Sequence, residues 1–479
     1  MALSSLPSKY GIGSLGAEAY RFVDFLAKSN QEYWQMLPLC PLGKGNSPYS
    51  SPSTFAGEIL YIDLDFLTED GLLKPDDIPD CNFSKNVDYN AVRDFKLPIL
   101  KKAAEIFDIT SRDFIKFKKE NRHWLKDYAL FMAIRDSFGN EPFNLWEDSL
   151  KFRYANEMLI FEDMHPEEIL FYEITQYLFY RQFKALKKYA EEKGIKLIGD
   201  IPFYVSFDSA DVWSNPDAFR LGRDMTPVLV AGVPPDIFSK TGQLWGNPVY
   251  DWDYHKKTNY NWWRQRLVSN ARMYDVIRID HFRAFADYYT VPFGAPDAKS
   301  GKWEKGMGMA FWNTVKPYIR HTEIIAEDLG GETEEVMNLI EQTGFPNMKV
   351  LQFAFDSDLK DPFLPKNYDR NCVCYTGTHD NDTTLGWYEK AEMKEKVLFS
   401  RLVPKDKSGS AVFSLIAYAM KSRAAYVIIP FQDYLQLPSE DRMNTPGNEK
   451  GNWEWRFEAE DLSEELSAEI RRLSETRRK

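Results

Sequence analysis

Short apolar runs recur along the chain at residues 1–6, 33–39, 196–202, 276–280, 323–327, 349–355, 371–376 and 425–429. Each is too short for a helix, and most are apolar almost without interruption, the pattern of strands buried on both faces. Between them, apolar residues recur at spacings of three and four, as in 333–341 and 414–420, which predicts amphipathic helices. Strands alternating with helices predict an α/β fold, a (β/α)8 TIM barrel, with its chemistry at the C-terminal ends of the strands.

Two gaps are too long for ordinary crossovers. Residues 40–195 hold an extra strand candidate at 58–63 and helical patterns at 92–107, 114–132 and 167–192. Residues 203–275 are rich in Pro, Gly, Asp and aromatics. The expected organisation is one catalytic barrel over 1–479. It carries an inserted, largely helical subdomain at 40–195 and an inserted loop-rich subdomain at 203–275 that covers the active site.

The strand at 276–280 alternates apolar and polar residues, so Arg278 and Asp280 share one face while Ile277 and Ile279 take the other. An isolated Arg-x-Asp is most simply a structural ion pair. This one is not isolated. Glu323-Ile-Ile-Ala-Glu327-Asp328 and Tyr375-Thr-Gly-Thr-His379-Asp380-Asn-Asp382 also run an apolar strand into carboxylates at its end. Acids at three strand ends suggest glycosidic chemistry. A retaining mechanism uses one carboxylate as nucleophile and another as acid/base about 5–5.5 Å away, a separation that neighbouring barrel strands can supply.

Composition narrows the partners. A net charge of −12 over 479 residues argues against a binder of nucleic-acid backbones. There is no 18-residue apolar run and no basic-then-apolar leader, so no membrane association is expected. Four cysteines make no disulfide scaffold, and Cys372-Val-Cys374 lacks zinc spacing. A cytoplasmic protein without a metal is expected. Gly11-Ile-Gly13-Ser-Leu-Gly16 has the form of a dinucleotide-binding turn, but it follows no strand and no acid ends the next one. Loop-shaping glycines are the better reading, and no cofactor is expected. Aromatics reach 15% of the chain, with 13 Trp and 26 Tyr, enough both to fill a core and to line a sugar cleft.

Longer motifs go further. Ser5-Leu-Pro-Ser-Lys-Tyr-Gly-Ile-Gly13, Gly45-Asn-Ser-Pro-Tyr-Ser-Ser-Pro-Ser53, Gly199-Asp-Ile-Pro-Phe-Tyr204, Thr241-Gly-Gln-Leu-Trp-Gly-Asn-Pro248, Arg278-Ile-Asp-His-Phe-Arg283, Ala326-Glu-Asp-Leu-Gly330, Gly377-Thr-His-Asp-Asn381 and Met443-Asn-Thr-Pro-Gly447 follow one another across nearly the whole chain. In this set and order the chain resembles the amylomaltases, 4-alpha-glucanotransferases (disproportionating enzymes) of the alpha-amylase clan. The resemblance implies transfer of alpha-1,4-glucan segments from a donor maltodextrin to the 4-OH of an acceptor by retaining double displacement, as part of starch and glycogen metabolism. A hydrolase of the same clan is the alternative, since it would share the acids.

The resemblance also implies roles. Asp280 would be the nucleophile, Glu327 the general acid and then base, and Asp380 the stabiliser of the transition state with His379 beside it. Arg278 would hold the nucleophile by charge. Asp328 competes for the acid role, but adjacent strand residues face opposite ways and only one can enter the mouth. Ser47, Tyr49 and Asp200 would lie near the reacting sugar. Asp236, Gln243 and Trp245 would sit on a loop over the acceptor side, and Asn444 near the donor side. Relatives carry several more residues before the first strand, which implies a start upstream of Met1.

Overall fold

A computed structural model describes residues 1–235, 239–330, 333–356, 359–448 and 450–478, and among these eleven strands order the chain. They are β1 (Tyr33–Gln35), β2 (Lys196–Ile201), β3 (Leu229–Val233), β4 (Gln243–Pro248), β5 (Val276–Ile279), β6 (Asp287–Pro292), β7 (Lys302–Lys305), β8 (Glu323–Ala326), β9 (Asn347–Val350), β10 (Cys372–Tyr375) and β11 (Tyr426–Ile428). Seven pair in parallel in the order β1-β2-β5-β8-β9-β10-β11. α-Helices precede six of them, Ala17–Lys28 before β1, Pro166–Glu192 before β2, Asn261–Met273 before β5, Gly308–Val315 before β8, Glu334–Thr343 before β9 and Ala411–Met420 before β11, whereas among the described residues only 3-10 turns lead from β9 to β10. This is the barrel fold that the apolar pattern predicts, nearly closed by seven of the eight expected strands among the described residues.

The two faces of each strand do different work. Val276 joins Ile198, Ile325, Met348, Val350 and Val373 in the cluster filling the barrel interior, whereas Ile277 and Ile279 join the larger core under the helices. Arg278 and Asp280, in step with Val276, therefore belong to the interior face.

Residues 1–6 form no strand. Leu3–Ser5 is a 3-10 turn, the Met1 ammonium donates to the Gln35 carbonyl at 3.0 Å, and the Trp34 indole donates to the Met1 carbonyl at 2.9 Å. Among the described residues β1 and β11 are thus the two edges of the sheet, with Phe22, Phe25, Met420 and Phe431 lining the groove between them.

Other departures have local causes. Residues 58–63 form the 3-10 turn Ile59–Tyr61, because Glu58 takes the amides of Leu42 and Leu60 while buried Lys96 takes the carbonyls of Leu60 and Ile62. Side chains satisfy the groups that a ladder would otherwise need. The helix expected over 114–132 is two, Arg112–Glu120 and Leu125–Ser137, broken where the Asn121 amide bonds the Phe117 carbonyl. The run 349–355 leaves the sheet after Val350, and Gln352 turns to bond the Asp382 carbonyl.

The stretch 203–275 holds more than loops. It contributes β3, β4 and three helices, and β3 pairs with β6 in an antiparallel sheet of order β4-β3-β6-β7. At 11–16 the glycines shape a loop: a Cβ on Gly16 would lie 1.9 Å from the Asp63 carboxylate.

Candidate active site

The parallel ladder sets the acids side by side. Ile279 pairs with Ala326, so the next residues, Asp280 and Glu327, leave neighbouring strands at the same level. The Asp280 amide donates to the Ile201 carbonyl at 2.9 Å and the Glu327 amide to the Ile279 carbonyl at 3.1 Å, which carries the ladder one residue past the strands.

Arg278 organises the floor. Its Nη1 donates to both oxygens of Asp200 at 2.8 and 2.7 Å, its Nη2 to Asp280 Oδ1 at 2.9 Å, and its Nε to the Met348 sulfur at 3.4 Å. Burial works against a guanidinium here, but Asp200 and Asp280 outweigh it and hold Arg278 firmly protonated. Asp200 has no exposed side-chain surface. Its partners include Arg278 and the hydroxyl of Tyr49, which lines the cleft and donates to it at 2.9 Å. Burial raises the Asp200 pKa, opposed mainly by the Arg278 charge.

Glu327 is held by main chain. The His281 amide donates to its Oε2 at 2.6 Å and the Leu329 amide to its Oε1 at 2.8 Å, while the Phe282 amide donates to its carbonyl at 2.9 Å. Burial, then the charge of Asp280, pushes its carboxyl up to about 7, against Arg278 and the two amides. Asp328 turns the other way. It accepts from the Asn347 side chain at 2.9 Å and the Met348 amide at 3.0 Å, so it is committed to β9.

The third acid rides on the loop after β10. Asp380 is half-exposed and accepts from the Asn444 amide at 2.6 Å, with His379 Nε2 at 3.4 Å from its other oxygen. His379 stacks on Tyr49 with ring centres 5.2 Å apart and planes 14° apart, and Trp453 closes against both. Buried Asp433 anchors both ends of this loop: it accepts from the Thr376 hydroxyl at 2.6 Å and from the Thr384 amide and hydroxyl at 2.7 Å each.

Asp280 opens on a cleft of about 590 Å³, whose lining also includes Ser47, Tyr49, Trp245, Asn444 and Trp453; Glu327 and Asp380 are not part of that lining. Tyr204 and His281 complete the aromatic wall. Gln243 lies behind it, exposed on β4 and accepting from the Trp245 indole at 3.1 Å. Asp236 lies outside the described residues. Among those described, no group of three or more His, Cys, Asp and Glu side chains is placed to hold a metal, and no helix is long and apolar enough to cross a membrane.

Residue spacing did not single out Tyr204, His281, Trp453 or Asp433. Tyr204 and His281 lie beside acids in the segments Gly199–Tyr204 and Arg278–Arg283, and neither carries a spacing signal of its own. Trp453 begins the alternation Trp453-Glu-Trp455-Arg-Phe457, which resembles an ordinary core strand. Asp433 lies in the short helix Phe431–Tyr434 and carries no local signal.

With this geometry in place, the chain can be set beside known proteins. The family model for 4-alpha-glucanotransferase matches residues 1–462. A 4-alpha-glucanotransferase from Clostridium butyricum is 45% identical over 483 aligned positions, covering 99% of each chain. One from Thermus thermophilus is 42% identical over 485, covering 98% of this chain and 96% of its own. The solved amylomaltase of Streptococcus agalactiae in complex with acarbose superposes with a TM-score of 0.96 at 38% identity, covering 99% of this chain and 97% of that one.

Proposed function

The chain belongs to the 4-alpha-glucanotransferase family, and from that premise we propose that Asp280, Glu327 and Asp380 divide the chemistry of glucan transfer among them. The enzyme moves alpha-glucan segments from a donor to an acceptor; we take the donors to be maltodextrins and the site of action to be the cytoplasm. Four free cysteines suit that compartment.

In the first step the Asp280 carboxylate attacks the anomeric carbon. The glycosidic bond breaks as Glu327 gives its proton to the departing 4-oxygen. A glycosyl ester on Asp280 remains, and the shortened glucan leaves. In the second step the 4-OH of an acceptor attacks the same carbon and gives its proton to Glu327, and the ester bond breaks to restore Asp280. Asp380, aligned by Asn444 and His379, would bind the ring hydroxyls as the sugar distorts. Arg278 offsets the charge of Asp280 and fixes its direction.

The observation that carries this reading is the Ile279–Ala326 register, which sets Asp280 and Glu327 at adjacent strand ends with the His281 amide bridging to the glutamate. The cleft's rings favour a sugar over water as the second nucleophile. With maltotriose as sole substrate, glucose and longer maltodextrins should appear with little net gain in reducing ends. Growth of reducing ends in step with donor consumption would instead indicate a hydrolase.

A further inference from the structure

His281 joins the cleft wall to Glu327. Its backbone is left-handed, with φ 53° and ψ 45°, a conformation in which residues with a Cβ are uncommon. In an extended strand consecutive amides point to opposite sides. The left-handed residue breaks that alternation, and two consecutive amides converge on one glutamate: His281 on the carboxylate at 2.6 Å and Phe282 on the carbonyl at 2.9 Å. The imidazole is gripped on the cleft side. Trp245 meets it edge-on with ring centres 4.8 Å apart and Tyr204 at 6.1 Å. Burial pulls its pKa down to about 4, so the ring is neutral at neutral pH and adds no charge beside Asp280.

We infer that His281 is a positioning residue for Glu327: its left-handed backbone aims the amide that holds the acid/base carboxylate, and packing of its ring on Trp245 and Tyr204 offsets the strain of that backbone, an offset that Asn or Gly would not need. This rests on the acid/base reading of Glu327. The other groups facing that carboxylate include Arg278 on β5, Asp280 just past its end, and Tyr375 on β10. An amide donor favours the ionised form, so its loss should move Glu327 toward protonation at higher pH.

The test is the pH profile of kcat/KM for the full-length enzyme with a maltodextrin donor, in variants His281→Asn, His281→Gly, His281→Val and Trp245→Ala. Asn and Gly accept a left-handed backbone. They should keep the wild-type alkaline limb and lose less than about tenfold in kcat/KM. Val resists that backbone and should move the limb upward by about one pH unit, the scale of one charge-assisted hydrogen bond, with about a hundredfold loss in kcat. Trp245→Ala should move the limb the same way by less, and it keeps the question open to test if the Val variant does not fold. Release of fluoride from alpha-glucosyl fluoride, which needs almost no protonation, should survive in every folded variant. Equal losses in Asn, Gly and Val, or a limb that stays fixed in both Val and Trp245→Ala, would overturn the inference and give the imidazole a direct contact with sugar. An alkaline limb that persists in Glu327→Gln would instead unseat Glu327 itself.

Discussion

Arg278 spans Asp200 with a single nitrogen, Nη1 lying 2.8 and 2.7 Å from the two carboxylate oxygens. Its other terminal nitrogen reaches Asp280, so one guanidinium serves two carboxylates in different states. Asp200 is fully enclosed, whereas 32% of the Asp280 side chain is exposed at the cleft. The enclosed acid holds the cation and the cation holds the reactive acid.

Arg278→Met should therefore remove activity and also destabilise the fold, because Asp200 would stay buried without its counter-charge, a loss of about 3–5 kcal/mol. Asp200→Asn in the same background should recover much of that loss, and urea unfolding of the two single variants and the double variant measures the coupling. Simple additivity of the single losses would show that the pair is not the unit described.

The raised carboxyl of Glu327 gives a pH dependence with a definite sign. Activity needs Glu327 protonated in the free enzyme, so kcat/KM should fall as pH rises through about 7. Stability follows the same proton. Between the ordinary value of 4.5 and about 7 the folded protein holds a proton that the unfolded chain has lost, so this contribution declines across that window as pH rises. Glu327→Gln should flatten both profiles, and a stability profile with an unchanged slope would count against the burial of that carboxyl.

Asp433 should matter although it lies behind the cleft. Asp433→Ala removes the shared anchor of Thr376 and Thr384, so the loop bearing His379 and Asp380 loses its placement. A displacement of about 1 Å costs on the order of a hundredfold in rate. The loss should be similar for maltodextrin and alpha-glucosyl fluoride donors, since Asp380 acts on the ring and not on the departing oxygen. A variant with wild-type kcat would contradict the anchoring role.

Leaving-group dependence separates the acid/base from the stabiliser. Glu327→Gln should be crippled on maltodextrins yet keep relatively fast glycosyl-enzyme formation from alpha-glucosyl fluoride, whereas Asp380→Asn should be impaired on both. Azide should partly rescue Glu327→Ala on the fluoride donor, because an anion needs no general base. Equal loss on both donors for Glu327→Gln, without an azide adduct, would move the acid/base role elsewhere.

How much of this was legible in the sequence depended on the range of the forces involved. The pairing of Arg278 with Asp280 follows from the two-residue period of a strand, and β5, β8 and β10 were legible as apolar runs ending in acids. The separation of Glu327 from Asp328 follows from the same period, and Asp328 accepts from the Asn347 side chain. What escaped was set by distant partners. Nothing local to Asp200 reveals that its carboxylate binds Arg278 and Tyr49, 78 and 151 residues away. Residues 1–6 are apolar enough for a strand, yet they turn back to meet Gln35 and Trp34. The strand β6, with Tyr288, Tyr289, Thr290 and Val291, was not among the apolar runs read from the sequence; its partner β3 lies about sixty residues earlier in the chain.

Covalent trapping tests the central assignment most directly. An activated fluoroglucosyl donor should form a long-lived ester, and peptide mass spectrometry should place the added mass on Asp280. Asp280→Asn, with its fold intact, should take up no label and lose several orders of magnitude in turnover. A label on Glu327 or Asp380 would contradict the assignment.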